Sequence, residues 1–220
     1  MASSSMASAG SGSGVSPGAG IVLRSHIGTR YRFDAGALSL EVLTTGGPGD
    51  LARHEALRTP DDLVAWAERS RLTPTPALDI TDDDVADARR LRDALFRTVV
   101  TRVRGDGLPG LDVSAAGPAD LDVINRAAAR PPLAPALGPD GTRHWAPETA
   151  TGAQLLSTTA RDAVDLLTGP YADRIRMCSG ERCYLVFADT SRPGRRRWCS
   201  MENCGNRHKV RAHRARGNGA

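Results

Sequence analysis

Four residues of this chain have the type and spacing to do chemistry: Cys178, Cys183, Cys199 and Cys204, its only cysteines. They fall as two Cys-x4-Cys pairs separated by fifteen residues. Thiolates a few residues apart on a tight loop can share one ion. Four of them make a closed tetrahedral set that suits zinc and leaves no position open for a substrate. The expected cofactor is therefore one structural Zn2+. The competing use of four cysteines is two disulfides, which need an oxidising compartment. His208 and His213 lie beyond Cys204, and a mixed Cys/His set is the alternative ligand choice. The all-cysteine set is preferred, because recruiting a histidine would leave a paired cysteine idle. The histidines otherwise read as solvated positions on a basic helix.

The elements that must position these thiols can be read around them. Tyr184 to Ala188 is an apolar, strand-like run, Ser191-Arg192-Pro193-Gly194 is a turn, and a second run ends at Trp198. This pattern predicts a two-stranded hairpin over 184–198 with one cysteine pair at each end. In such a ribbon Arg195 and Arg197 face one side, and Arg196 and Trp198 the other. Trp198 and Phe187 are expected to form a small core beside the metal. A basic helix from about Asn203 to Arg216 follows, with Arg207, Arg211 and Arg214 on one face. Lys209 and Arg216 extend its charge.

The residues around the last cysteine pair carry a family resemblance. Cys204-Gly205-Asn206-Arg207, preceded by Arg196-Arg197-Trp198-Cys199-Ser200-Met201, resembles the CGNR zinc finger of bacterial proteins. Phe187-x-Asp189-x-Ser191-Arg192 and Lys209-x-Arg211-x-x-Arg214 match the same pattern, which covers about forty residues. The resemblance implies DNA binding. The module reads as treble-clef-like: a Cys knuckle, a hairpin, and a helix whose first turn carries the last cysteine. Upstream, Leu40-Glu41-Val42-Leu43-Thr44-Thr45 resembles the opening of the ABATE domain, which commonly precedes a CGNR finger. That opening usually reads Leu-Asp-Phe-x-Asn-Thr, so Thr44 stands in place of Asn. The combined resemblance implies a stress-induced bacterial transcription regulator.

Charge divides the chain in the same way. The net charge is +4 over 220 residues. Arg174 to Arg216 holds twelve Lys and Arg against three acids, while the remainder holds seventeen against twenty-two. An acidic body thus carries a basic module, which points to a polyanionic partner. Hydrophobic content of 40% with only 4% aromatics suits a core of Ala, Leu and Val on helices. Residues 1–20 are rich in Gly and Ser and are expected to be disordered. They lack the basic and apolar regions of an export signal, so the expected location is the cytoplasm, without membrane association.

The expected fold class is mainly α. A helical N-terminal domain over 21–170 contains one small β-hairpin, and the zinc module follows over 174–216. Thr59-Pro60-Asp61-Asp62 and Thr81-Asp82-Asp83-Asp84 are helix starts, a capping Thr followed by acids at the positive dipole end. The second predicts the longest helix, to about Arg104, with Val85, Ala88, Leu91, Leu95, Val99 and Val103 buried. Arg89, Arg90, Arg92 and Arg97 lie off that stripe and are read as partners of Asp87 and Asp93 rather than as a nucleic-acid face. Further helices are predicted from Pro118 and over 149–168, with a hairpin over 133–146. Residues 31–46 fit helix and strand equally well.

Several function classes find no support. There is no phosphate-binding Gly-x-x-x-x-Gly-Lys and no His-Glu-x-x-His. His144 has no nucleophile or acid at a catalytic spacing, and no residue reads as catalytic. The expected function is a DNA-binding regulator. Arg195, Arg196, Arg197, Arg207, Lys209, Arg211, Arg214 and Arg216 would contact nucleic acid, and the body would sense a small molecule or form a homodimer. The alternative is a protein-interaction module whose zinc is purely structural. RNA binding ranks lower, because few exposed aromatics offer themselves for base stacking.

Overall fold

The computed structural model describes residues 20–217 apart from His26 and Pro147, so the Gly/Ser-rich stretch at 1–19 lies outside the described residues. Two short strands open the fold. β1 (Ile21–Arg24) pairs antiparallel with β2 (Arg30–Phe33), Ile21 opposite Phe33 and Arg24 opposite Arg30. Alternation puts Tyr31 and Phe33 in the core and Arg30 and Arg32 outside. The ambiguous stretch 31–46 is thus both things in turn. It is strand to Phe33, then helix α1 (Leu38–Glu41), tightening into a 3-10 turn over Val42–Thr45.

Three capping boxes start the main helices. Thr59 with Asp62 opens α2 (Pro60–Arg69), and Thr81 with Asp84 opens α3 (Asp82–Arg104). Thr151 with Gln154 opens α5 (Gly152–Thr168). Each side chain satisfies an amide that the helix leaves unpaired. α4 (Pro118–Ala128) begins with Pro at its first position, and Asp120 accepts from the Gly117 N–H. Helix α3 is the spine. Val85, Ala88, Leu91, Leu95 and Val99 are buried along it, and α4, α5 and the Val42–Thr45 turn pack around it. β4 (Ala134–Leu137) and β5 (Arg143–Ala146) form the expected hairpin, with His144 exposed. The chain preceding α5 is not helical as expected: β6 (Thr149–Thr151) pairs parallel with β3 (Ala77–Asp79).

The arginines of α3 serve the body. Arg90 pairs with Asp87, and Arg97 with Asp120 at 2.6 Å. Arg92 departs from its expected outward place and is buried. It forks onto both Glu55 carboxylate oxygens at 2.7 and 2.8 Å and also reaches Asp93. Burial alone would push Glu55 up; the Arg92 and Leu57 N–H bonds and the charges of Arg92 and Arg89 outweigh it and hold Glu55 below the usual carboxylate range. A buried charge is tolerable only with this kind of full pairing.

The C-terminal module shares its core with the body. β7 (Ile175–Met177) and β8 (Val186–Ala188) pair antiparallel, and Ile175, Met177, Val186, Phe187 and Ala188 join the body's apolar cluster. The hairpin lies on α3 and α1. Ala188 N–H donates to the Ala35 carbonyl at 2.9 Å, and Gly36, at φ +84°, lets the backbones meet. A Cβ there would sit 2.7 Å from the Ala188 oxygen. Helix α6 (Asn206–Gly217) closes the chain.

Candidate metal centre and nucleic-acid interface

The thiols converge as their spacing requires, but on a different hairpin from the expected one. β8 pairs with the preceding β7, so Cys178 and Cys183 sit on the turn joining these two strands. Arg195 to Trp198 form no strand. They belong to a loop gathered by Asp189, a buried carboxylate that accepts the Ser191 hydroxyl at 2.5 Å and the Arg196 N–H at 2.7 Å. These bonds outweigh burial and keep Asp189 ionised below the usual range. Ser179 N–H then donates to the Arg197 carbonyl at 2.9 Å, tying the knuckle to the loop.

Cys199 ends that loop, and Cys204 lies in a π-helical turn over Met201–Gly205, just before α6. Ser200 caps the turn by accepting from the Glu202 N–H at 3.1 Å. All four sulfurs lie within 4.8 Å of one another, and Cys183 and Cys199 sulfurs are 3.8 Å apart. A tetrahedron with zinc–sulfur arms of about 2.3 Å has edges of about 3.8 Å, so the set matches that ion. N–H groups of Cys199 and Gly180 point at the Cys178 sulfur, 3.2 and 3.4 Å away, and these are the outer hydrogen bonds a thiolate ligand needs. Hydrogen bonds from Cys183 and Cys199 hold the Cys178 thiol far below its ordinary value, while the bond with Cys178 pushes Cys183 up. Four sulfurs this close cannot all ionise unaided, and a divalent cation lets them do so. The residues present fit one structural zinc held by Cys178, Cys183, Cys199 and Cys204. The ion would supply cross-linking of knuckle, loop and helix. His208 takes a different role, stacking on Trp198 with ring centroids 4.8 Å apart. The His213 side chain lies outside the described residues.

The basic residues separate into three groups. Arg195 and Arg197 are exposed on the loop, and Lys209, Arg211 and Arg214 are exposed on α6. Arg207 and Arg211 both turn to Glu181 on the knuckle, Arg207 to its carbonyl at 3.1 Å and Arg211 to its carboxylate. The Arg216 side chain lies outside the described residues. Arg196 is the residue whose job the sequence did not disclose. Its guanidinium donates to the carbonyls of Asp34 at 2.8 Å, Trp198 at 3.0 Å and Cys199 at 2.5 Å. It also lies 4.0 Å from the Phe187 ring centroid and 5.8 Å from that of Phe33. Arg196 therefore joins body, loop and zinc ligand. The only hint in the sequence was its alternation with Trp198 toward the inner side.

Fold and centre together define a zinc-finger protein, a helical body carrying a docked four-cysteine module. Residues 36–170 match the ABATE family, described as a "putative stress-induced transcription regulator", and residues 174–217 match the CGNR zinc finger. The first match alone spans more than half of the 220 residues, and the chain belongs to the ABATE family, with a CGNR finger following. These are regulator and zinc-finger families rather than enzyme families. No curated protein matches the chain. Among the described residues no helix is long and apolar enough to cross a membrane.

Proposed function

We propose that this protein is a DNA-binding transcription regulator acting in the cytoplasm. Residues 174–216 read the duplex, and residues 21–170 sense a small molecule or form a dimer. The observation that carries this reading is the exposure of Arg195, Arg197, Lys209, Arg211 and Arg214 on a zinc-ordered module attached to an acidic body. Most of these side chains would meet phosphate, which gives affinity without sequence choice. Arg211 is now paired with Glu181 at the surface, where both side chains are more than 60% exposed. Such a pair is worth little, so a phosphate can replace the carboxylate at small cost. Arg207 and Arg216 extend the basic series along the same helix. Arg196 keeps a positioning role, holding the loop that presents its two neighbours.

The test is duplex binding by zinc-loaded protein at two salt concentrations, with a zinc-stripped control. Zinc-dependent binding that weakens with salt is expected. Substituting Arg207, Arg211 and Arg214 by Gln should lower the log–log salt slope by about 0.9 for each phosphate no longer neutralised. An unchanged slope and affinity would remove α6 from the interface. One observation favours a second reading. Ile27 and Val210 stand 74% and 49% exposed along a groove that Arg207, Arg211 and Arg214 also line. An acidic amphipathic protein segment fits that groove. Binding to such a segment with no salt-sensitive binding to duplex would support this reading and overturn the first.

A further inference from the structure

A cavity of about 360 Å³ opens between the body and the zinc module, and its walls are shared. The body contributes an apolar floor of Leu43, Leu51 and Phe96, all buried. The Thr44 side chain stands beside them, at the position where the ABATE opening usually has Asn. The module contributes the opposite wall, including Tyr184, Leu185 and Asn203. Tyr31 spans the seam, its hydroxyl hydrogen-bonded to the Asn203 side chain. Arg24, His54, Arg182 and Arg207 reach the lining, Cys183 and Cys204 of the metal cage border it, and no Asp or Glu is among the described residues that line it. The volume is in the usual range for a small-molecule site, where an apolar body is gripped and a few polar groups set orientation.

We propose that this cavity binds a small organic anion with an apolar or aromatic body, a carboxylate foremost. This rests on the reading of residues 21–170 as a sensing module and identifies where and what it senses. The apolar portion lies on Leu43, Leu51 and Phe96. The anionic head meets the guanidinium groups at the mouth, where arginine forks match a carboxylate in two-point contact. A phosphate monoester shares that chemistry, and the test distinguishes the two heads. The cavity also explains how occupancy reaches the finger. Asn203 and Arg207 belong to the π-turn and first turn of α6, and Arg182 belongs to the cysteine knuckle, at φ +55°. A ligand touching both walls binds one arrangement of body and finger better than others. That differential affinity is the whole requirement for coupling.

The experiment is isothermal titration of the zinc-loaded full chain with 1-naphthoate, 1-naphthyl phosphate and the neutral 1-naphthamide. The carboxylate is expected to bind at least about tenfold more tightly than the amide. The paired substitution Arg24→Gln with Arg182→Asn should abolish that preference at unchanged zinc content; Asn tolerates the left-handed backbone at 182. A phosphate favoured over the carboxylate would keep the anion site and overturn the carboxylate assignment. Equal affinity for naphthoate and naphthamide, or no binding of any of the three, would overturn the site. Duplex affinity with and without naphthoate is measured beside it. Duplex binding that persists while no naphthyl compound binds sinks the cavity and leaves the regulator reading standing. Naphthoate binding that leaves duplex affinity unchanged keeps the site and removes its coupling to the finger.

Discussion

Replacing Arg196 by Ala tests whether one side chain holds the finger to the body. Three carbonyls, those of Asp34, Trp198 and Cys199, would lose their donor. Each such loss costs on the order of 1 kcal/mol, somewhat less where water can enter. The guanidinium also sits over Phe187 at 4.0 Å, an arrangement worth about 1 kcal/mol at a partly buried site. The sum is about 3 to 4 kcal/mol, a large share of the roughly 5 to 15 kcal/mol that holds an ordinary domain together. Lys at this position can reach at most one of the three carbonyls well and should recover less than half. Urea unfolding followed by tryptophan fluorescence measures the loss. Hydrogen exchange at the Ala188 amide, which donates to Ala35, reports whether the seam has opened. Arg195→Ala is the control: its side chain is exposed, and the expected change is within about 0.5 kcal/mol. An Arg196→Ala loss below about 1 kcal/mol, with Ala188 exchange unchanged, would refute the assignment of Arg196 as the joint.

Two further perturbations address the metal and the buried charges. Gly180→Ala would place a Cβ 2.6 Å from the Cys204 sulfur, so zinc affinity should fall roughly 10- to 100-fold in competition with a chelating dye. Unaltered affinity would mean that the cage yields without strain. Glu41 is wholly buried, and burial raises its pKa above the ordinary 4.5 despite the Arg71 charge and hydrogen bonds. The folded state then binds more protons than the unfolded one, so this group's contribution makes stability fall as pH rises from 4.5 through the raised value. Glu41→Gln should remove that component, so the difference between the two proteins' urea midpoints should change across pH 4.5 to 7.5, and parallel curves would contradict it.

Local signals carried most of the fold and all of the metal cage. A capping Thr with a downstream acid, a Pro at the first helical position and an apolar stripe at helical spacing each act within one element, so α2, α3 and α4 begin where the residues say. The cysteine cage was legible because zinc imposes its own geometry on four thiolates. Strand partnership was not legible. Val186–Ala188 can add to any extended neighbour, and alternation says which face is apolar without saying which segment lies alongside. The choice fell to Ile175–Met177, which buries two side chains against the body, whereas Arg195 to Arg197 would have brought charge into the same place. Arg92 escaped in a similar way. Its burial depends on Glu55 arriving from a loop thirty-seven residues away, a pairing no helical wheel contains.

The last helix depends on the rest of the molecule more than its basic face suggests. None of the described side chains of α6 is buried, and an isolated twelve-residue helix of this composition would be marginal in water. What holds it is Cys204 in the turn before it, His208 on Trp198, and Arg207 and Arg211 on Glu181. Three of these four attachments run to the knuckle or to the zinc cage, and the fourth runs to the loop that Arg196 secures. The direction in which Arg211 and Arg214 point is therefore set by the metal and by the seam with the body. Removing zinc should unwind α6 and free Trp198 while the body, whose core is centred on α3, keeps its helices. Circular dichroism would then show a partial loss of helix on chelation. A complete loss would place the zinc cage within the body's own folding unit, and no loss would mean that α6 stands without it.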